Sequence, residues 1–91
     1  MSFSVDISAT AEKDLDSLDK KNCEIILKKL KKVSDDPLHF LERLSGYTLY
    51  KLRCGEYRTI IRVDATNNIL QMVMVDHRKN IYKRLQRLIK E

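Results

Sequence analysis

Six residues in the C-terminal half of this 91-residue chain could do chemistry together: Lys51, Arg53, Arg58, His77, Arg78 and Tyr82. Histidine titrates near neutrality and can carry a proton. Arginine braces phosphate oxygens in bidentate fashion, and a tyrosine ring can stack on an unpaired base. The set suits RNA cleavage without a metal, in which the 2′-hydroxyl attacks the adjacent phosphate. The products are a 2′,3′-cyclic phosphate and a free 5′-hydroxyl. That reaction needs a base for the 2′-hydroxyl, an acid for the leaving 5′-oxygen and cations for the crowded phosphorane. It needs no nucleophile from the protein, no metal and no cofactor. No paired-carboxylate cluster, GxSxG or Walker motif competes with this reading. One histidine beside an arginine is a weak signal alone, because many such histidines merely cap a strand.

Hairpin geometry decides which of these residues meet. Tyr50, Leu52 and Cys54 alternate with Lys51 and Arg53, Gly55-Glu56 reads as a turn, and a second strand runs from Tyr57 to Asp64. A two-residue loop pairs Cys54 with Tyr57 and Arg53 with Arg58. Lys51, Arg53, Arg58 and Arg62 then project from one face, where like charges oppose one another at a cost. An anionic ligand would explain that cost, and so would an open face where long side chains reach water. Ala65-Thr66-Asn67-Asn68 is the next turn, leading into the apolar strand Ile69 to Asp76. A two- or four-residue loop there puts Val73, Val75 and His77 on the Arg58 face, and a three-residue loop substitutes Asp76. Arg78 and Tyr82, four apart, share a face if the last helix begins promptly.

The preceding elements are structural. Phe3, Val5 and Ile7 alternate with polar residues as in a half-buried strand. Ser8 or Thr10 can cap a helix bearing Ala11, Leu15 and Leu18. Asp19 caps a second helix, whose Cys23, Ile26, Leu27, Leu30 and Val33 recur at three and four residues until Asp35-Asp36-Pro37. Residues 38–46 are ambiguous, with Leu38, Leu41 and Leu44 suggesting a short helical turn or packed loop stopped by Gly46. Ile81, Leu85, Leu88 and Ile89 line one face of a final helix. The expected fold is α+β: an N-terminal strand, a helical hairpin, a three-stranded antiparallel meander and a C-terminal helix.

Composition sets the frame. The length allows one domain spanning residues 1–91, and 43% hydrophobic residues with 2 Gly and 1 Pro describe a globular chain. The net charge is +5, and residues 78–91, with six basic residues against one acidic, hold it all. Such a concentration is the footprint of a phosphate-binding surface, or else a solvated helix face. Cys23 and Cys54 with His39 and His77 match no zinc spacing, consistent with a reduced, intracellular chain. No run approaches a membrane span and the N-terminus is unlike a secretory signal, so a cytoplasmic location is expected.

The chain resembles the RelE/ParE superfamily of toxin–antitoxin modules, and within it RelE. The resemblance is carried by Leu44-Ser45-Gly46, by Tyr50-Lys51-Leu52-Arg53 with Glu56-Tyr57-Arg58-Thr59-Ile60-Ile61, and by Asp76-His77-Arg78-Lys79-Asn80-Ile81-Tyr82. It implies a compact sheet with a helical hairpin, acting as a metal-independent, ribosome-dependent mRNA endonuclease that cuts in the decoding site. It also implies neutralisation by a RelB-like antitoxin wrapped around the toxin. Lys51 and Arg53 match the basic pair of the first meander strand, Arg58 the arginine after tyrosine, Arg78 the post-sheet arginine and Tyr82 the tyrosine of the last helix. Two positions depart from the pattern. Arg53 stands where some RelE enzymes have a lysine, and it stabilises charge but is a poor acid, leaving His77 or Lys51 to carry the proton. Asp76 stands where relatives commonly have glycine, and its charge could orient His77 or oppose RNA. The alternatives are a ParE-like gyrase inhibitor and a nucleic-acid-binding domain of the same fold without activity.

Overall fold

The computed structural model of the chain describes residues 3–44 and 48–90. In chain order the elements are β1 (Ser4–Ile7), α1 (Ala9–Asp16), α2 (Lys20–Val33), α3 (Pro37–Phe40), β2 (Glu42–Arg43), β3 (Leu49–Cys54), β4 (Tyr57–Asp64), β5 (Ile69–His77) and α4 (Ile81–Lys90). The strands form one sheet in the order β1-β5-β4-β3-β2. The meander β3-β4-β5 is antiparallel, as its short turns require, while β1 lies parallel to β5 at one edge. The ambiguous segment resolves into the four-residue α3, with Pro37 in its first turn, and the two-residue β2 at the other edge. Gly46 and Tyr47, expected to stop that segment and begin the meander, lie outside the described residues.

Helix starts follow the polar residues at their ends. The Ser8 side chain, rather than that of Thr10, accepts from the Ala11 N–H, and Asp19 accepts from the Asn22 N–H. Helices α1 and α2 present Ala11, Leu15, Ile26, Leu30 and Val33 to one face of the sheet. There they join Leu52, Cys54, Ile61, Leu70, Met72 and Val75. The opposite face holds a smaller cluster, in which Ile81 and Leu85 of α4 cover Leu49, Ile60 and Met74. Full burial of each such side chain contributes about 1.5–3 kcal/mol, enough to seat α4 on the sheet. Two expectations shift. β1 is exposed throughout rather than half-buried, because an edge strand has only one neighbour. Leu27, expected on the buried face of α2, is also exposed.

Two backbone features set the register. Gly55 has φ +62°, at the first central position of the two-residue turn, where a type II′ hairpin takes glycine. The pairs Arg53–Arg58 and Cys54–Tyr57 follow as expected. The second loop holds four residues, since Asp64 pairs with Ile69. The ladder then slips between Ile60 and Ile61: Ile61 faces Met72, Ile60 faces Met74, and Val73 is the extra residue of a β-bulge. Ser8 holds this bulge, donating its hydroxyl to the Val73 carbonyl at 2.8 Å and its backbone N–H to the Met72 carbonyl at 3.0 Å.

Candidate nucleic-acid interface

The bulge decides which face each candidate takes. With four loop residues and an unbroken ladder, His77 would share the Arg58 face. The slip instead sets Asp76 opposite Arg58 and His77 opposite Tyr57. His77 is therefore on the other face of the sheet, the side of α1 and α2, and the convergence of His77 with Arg58 does not occur. Its ring meets Tyr57 edge-on at 5.7 Å between centroids. The Lys79 N–H donates to Nδ1 at 3.1 Å, and Nε2 lies 3.1 Å from Glu56 Oε2. A nitrogen that accepts carries no proton, so this pattern places the imidazole hydrogen on Nε2, directed at Glu56.

The cations do converge. Arg53 and Arg58 stand opposite each other at the end of the β3–β4 hairpin, with Lys51 two residues along the same face. Arg53 is exposed, whereas Arg58 is only 8% exposed. The Arg58 Nη1 donates to the carbonyls of Gly55 at 2.7 Å and Tyr57 at 2.9 Å, which compensates part of the cost of burying a cation. Arg78 joins from the end of β5, since its N–H donates to the Glu56 carbonyl at 2.8 Å and ties the segment to the hairpin turn. Its guanidinium is half exposed, 4.0 Å from Glu56 Oε1. Arg62 shares the face but stands apart. Ile60, covered by α4, intervenes, and Arg62 Nη1 donates to Gln71 Oε1 at 3.1 Å.

Tyr82, in the first turn of α4, closes one side. The Lys51 ammonium donates to the Tyr82 hydroxyl at 3.1 Å, sits 5.5 Å from the ring centroid and lies 3.2 Å from Glu42 Oε2. The hydrogen bond to Tyr82, aided by Glu42, holds the Lys51 pKa above the usual lysine value, so this residue is an ammonium at neutral pH. Tyr82 is 44% exposed, leaving ring surface open to a base.

Carboxylates accompany the cations, and of these only Asp76 stood out in the sequence. Glu42 and Glu56 are largely exposed, so their ion pairs are weak and replaceable by phosphate. The hydrogen bond to His77, with the charge of Arg78, lowers the Glu56 pKa. Asp76 is more tightly held. Its Oδ2 lies 3.0 Å from Arg84 Nη1, and its Oδ1 accepts from the His77 N–H at 2.7 Å. The same Arg84 nitrogen lies 3.0 Å from Asp14 Oδ1 and 3.2 Å from the Val75 carbonyl, while Asp14 Oδ2 accepts from the Val75 N–H. Burial opposes ionisation of Asp76, but Arg84, the His77 N–H and Asn80 outweigh it and the pKa falls. Asp14 and Arg84 are 70 residues apart, and no local pattern marks them as partners. Among the described residues no group of three or more His, Cys, Asp or Glu could hold a metal ion, and Cys23 and Cys54 are free. No described helix is long and apolar enough to cross a membrane.

The five-stranded, mostly antiparallel sheet with its C-terminal helix matches the fold of solved RelE toxins. The mutant E. coli RelE in its free state superposes with a TM-score of 0.75 at 26% identity, covering 91% of this chain and 93% of that one. The RelE–RelB complex of the archaeon Pyrococcus horikoshii gives 0.74 at 26% identity, covering 86% and 97%. The toxin–antitoxin complex RelBE2 of Mycobacterium tuberculosis gives 0.77 at 24% identity, covering 85% and 99%. The family model described as the ParE toxin of the type II toxin–antitoxin system parDE matches residues 5–82, so the chain belongs to this family within the RelE/ParE superfamily. It is a type II toxin. No curated protein matches the sequence significantly.

Proposed function

We propose that this toxin is a ribosome-dependent mRNA endonuclease that stops translation in the cytoplasm and is held inactive by a RelB-like antitoxin. The observation that carries this reading is the gathering of Arg53, Arg58, Arg78 and the Lys51–Tyr82 pair around one hairpin end. Opposed like charges are costly in a free sheet, and a phosphate removes the cost. Arg58 and Arg78 are assigned to the scissile phosphate, and Arg53 to flanking backbone. Tyr82 stacks a base, and Lys51, held as an ammonium, stabilises the phosphorane, while solvent water takes the 2′-hydroxyl proton and supplies one to the leaving 5′-oxygen. His77 faces away and reaches Arg78 only through the Glu56 that both approach. The antitoxin follows from the solved RelE relatives, which include complexes with RelB.

A second reading, gyrase inhibition by binding alone, is favoured by the ParE description of the matching family. Cell-free translation followed by primer extension separates the two. Codon-phased cuts that vanish in Arg58→Ala and Arg78→Ala support the endonuclease. Intact mRNA with arrested DNA supercoiling overturns it in favour of gyrase.

A further inference from the structure

Asp76 stands directly opposite Arg58 on the same sheet face, close enough for the two side chains to meet across the strands. A bare ladder would pair these opposite charges. They do not pair here: the Arg58 Nη1 bonds go to Gly55 and Tyr57, and the Asp76 Oδ2 goes to Arg84. Arg84 comes from α4, and the Nη1 that meets Asp76 also donates to Asp14 of α1 and to the Val75 carbonyl. The side chains of Arg84 and Asp14 thus serve the edge of β5 beyond the reach of β1, whose ladder ends at Met72.

We propose that Arg84 is a positioning residue of the nucleic-acid face: it draws the Asp76 carboxylate away from the largely buried Arg58 and leaves the charge of that guanidinium unneutralised and directed at phosphate. Arg84 itself touches no RNA. The negative charge of Asp76 is thereby matched within the fold. Without Arg84, Asp76 would turn to Arg58 and occupy the group that binds phosphate. The proposal rests on the reading of this face as a phosphate-binding surface.

The test uses the full chain and a short fluorescent 2′-O-methyl oligoribonucleotide, which lacks the attacking hydroxyl, titrated at several salt concentrations. Arg84→Gln is expected to weaken binding about tenfold, the size of one lost charge-assisted contact. The slope of log K against log salt should flatten by about 0.7, one phosphate fewer on a single strand. Asp76→Asn in the Arg84→Gln background should restore both. Asp14→Asn in that background restores the same net charge but should rescue neither, and this separates local release of Asp76 from bulk charge or loss of structure. Arg84→Lys, a milder change for use if Arg84→Gln does not fold, should show about a threefold loss, again relieved by Asp76→Asn. Equal rescue by the two asparagines, or none, overturns the positioning role while the phosphate-face reading stands. Binding that is absent, or indifferent to Arg58→Ala, overturns that reading and the positioning role with it.

Discussion

Replacing Ser8 with alanine removes two interactions that meet on one oxygen. The Ser8 hydroxyl accepts from the Ala11 N–H at 3.1 Å as the cap of α1 and donates to the Val73 carbonyl at 2.8 Å in the bulge. Loss of a serine cap costs about 1 kcal/mol. The abandoned carbonyl, part-buried at the bulge, adds about 1–3 kcal/mol. Ser8→Ala should therefore destabilise the fold by about 2–4 kcal/mol, a large fraction of the roughly 5–14 kcal/mol available to a domain of this size. Two further variants divide the sum. Ser8→Asp keeps an acceptor for the cap but has no proton for Val73, so it should recover the cap contribution and not the bulge contribution. Ser8→Thr keeps both roles and should lie within about 0.5 kcal/mol of wild type. Urea unfolding followed by circular dichroism measures all three. An aspartate variant as stable as wild type would show that the hydroxyl bond to the bulge contributes nothing and that Ser8 does not hold the register.

Other consequences are simpler to check. The Thr59 hydroxyl is fully buried without a hydrogen-bond partner among the described residues, so the isosteric Thr59→Val should raise stability by about 1 kcal/mol in the same urea assay; a loss would reveal a partner. Gly55→Ala meets no atom within 4 Å of the added carbon. Its cost should be only the left-handed φ, about 1–2 kcal/mol, and a larger loss would point to contacts beyond the backbone. Asp76 has a lowered folded pKa, so its contribution is present above the unfolded carboxylate pKa of about 3.9 and is lost as pH falls through the folded value. Stability of Asp76→Asn should accordingly fall less steeply than wild type below pH about 4 in thermal scans, and parallel profiles would contradict the Arg84 pairing.

Much of the meander could be read from local chemistry. Period-two alternation on either side of Gly55-Glu56 places Arg53 against Arg58, because a two-residue turn leaves only one register, and Lys51 follows by alternation. Helix caps at Ser8 and Asp19 and the amphipathic spacing of α2 are equally local. The face of His77 was not legible, since it depends on one inserted residue, Val73, and the bond that holds this bulge comes from Ser8, 65 positions away. Nor was the fate of Asp76, whose charge is met by an arginine that also reaches Asp14 across 70 residues. Turn type and alternation are set by neighbours along the chain, whereas a bulge and a shared ion pair form only where packing brings distant elements together. The sequence by itself thus determined which cations line one sheet face. Tertiary structure decided that His77 leaves that face and that Asp76, which replaces it opposite Arg58, is drawn away by Arg84.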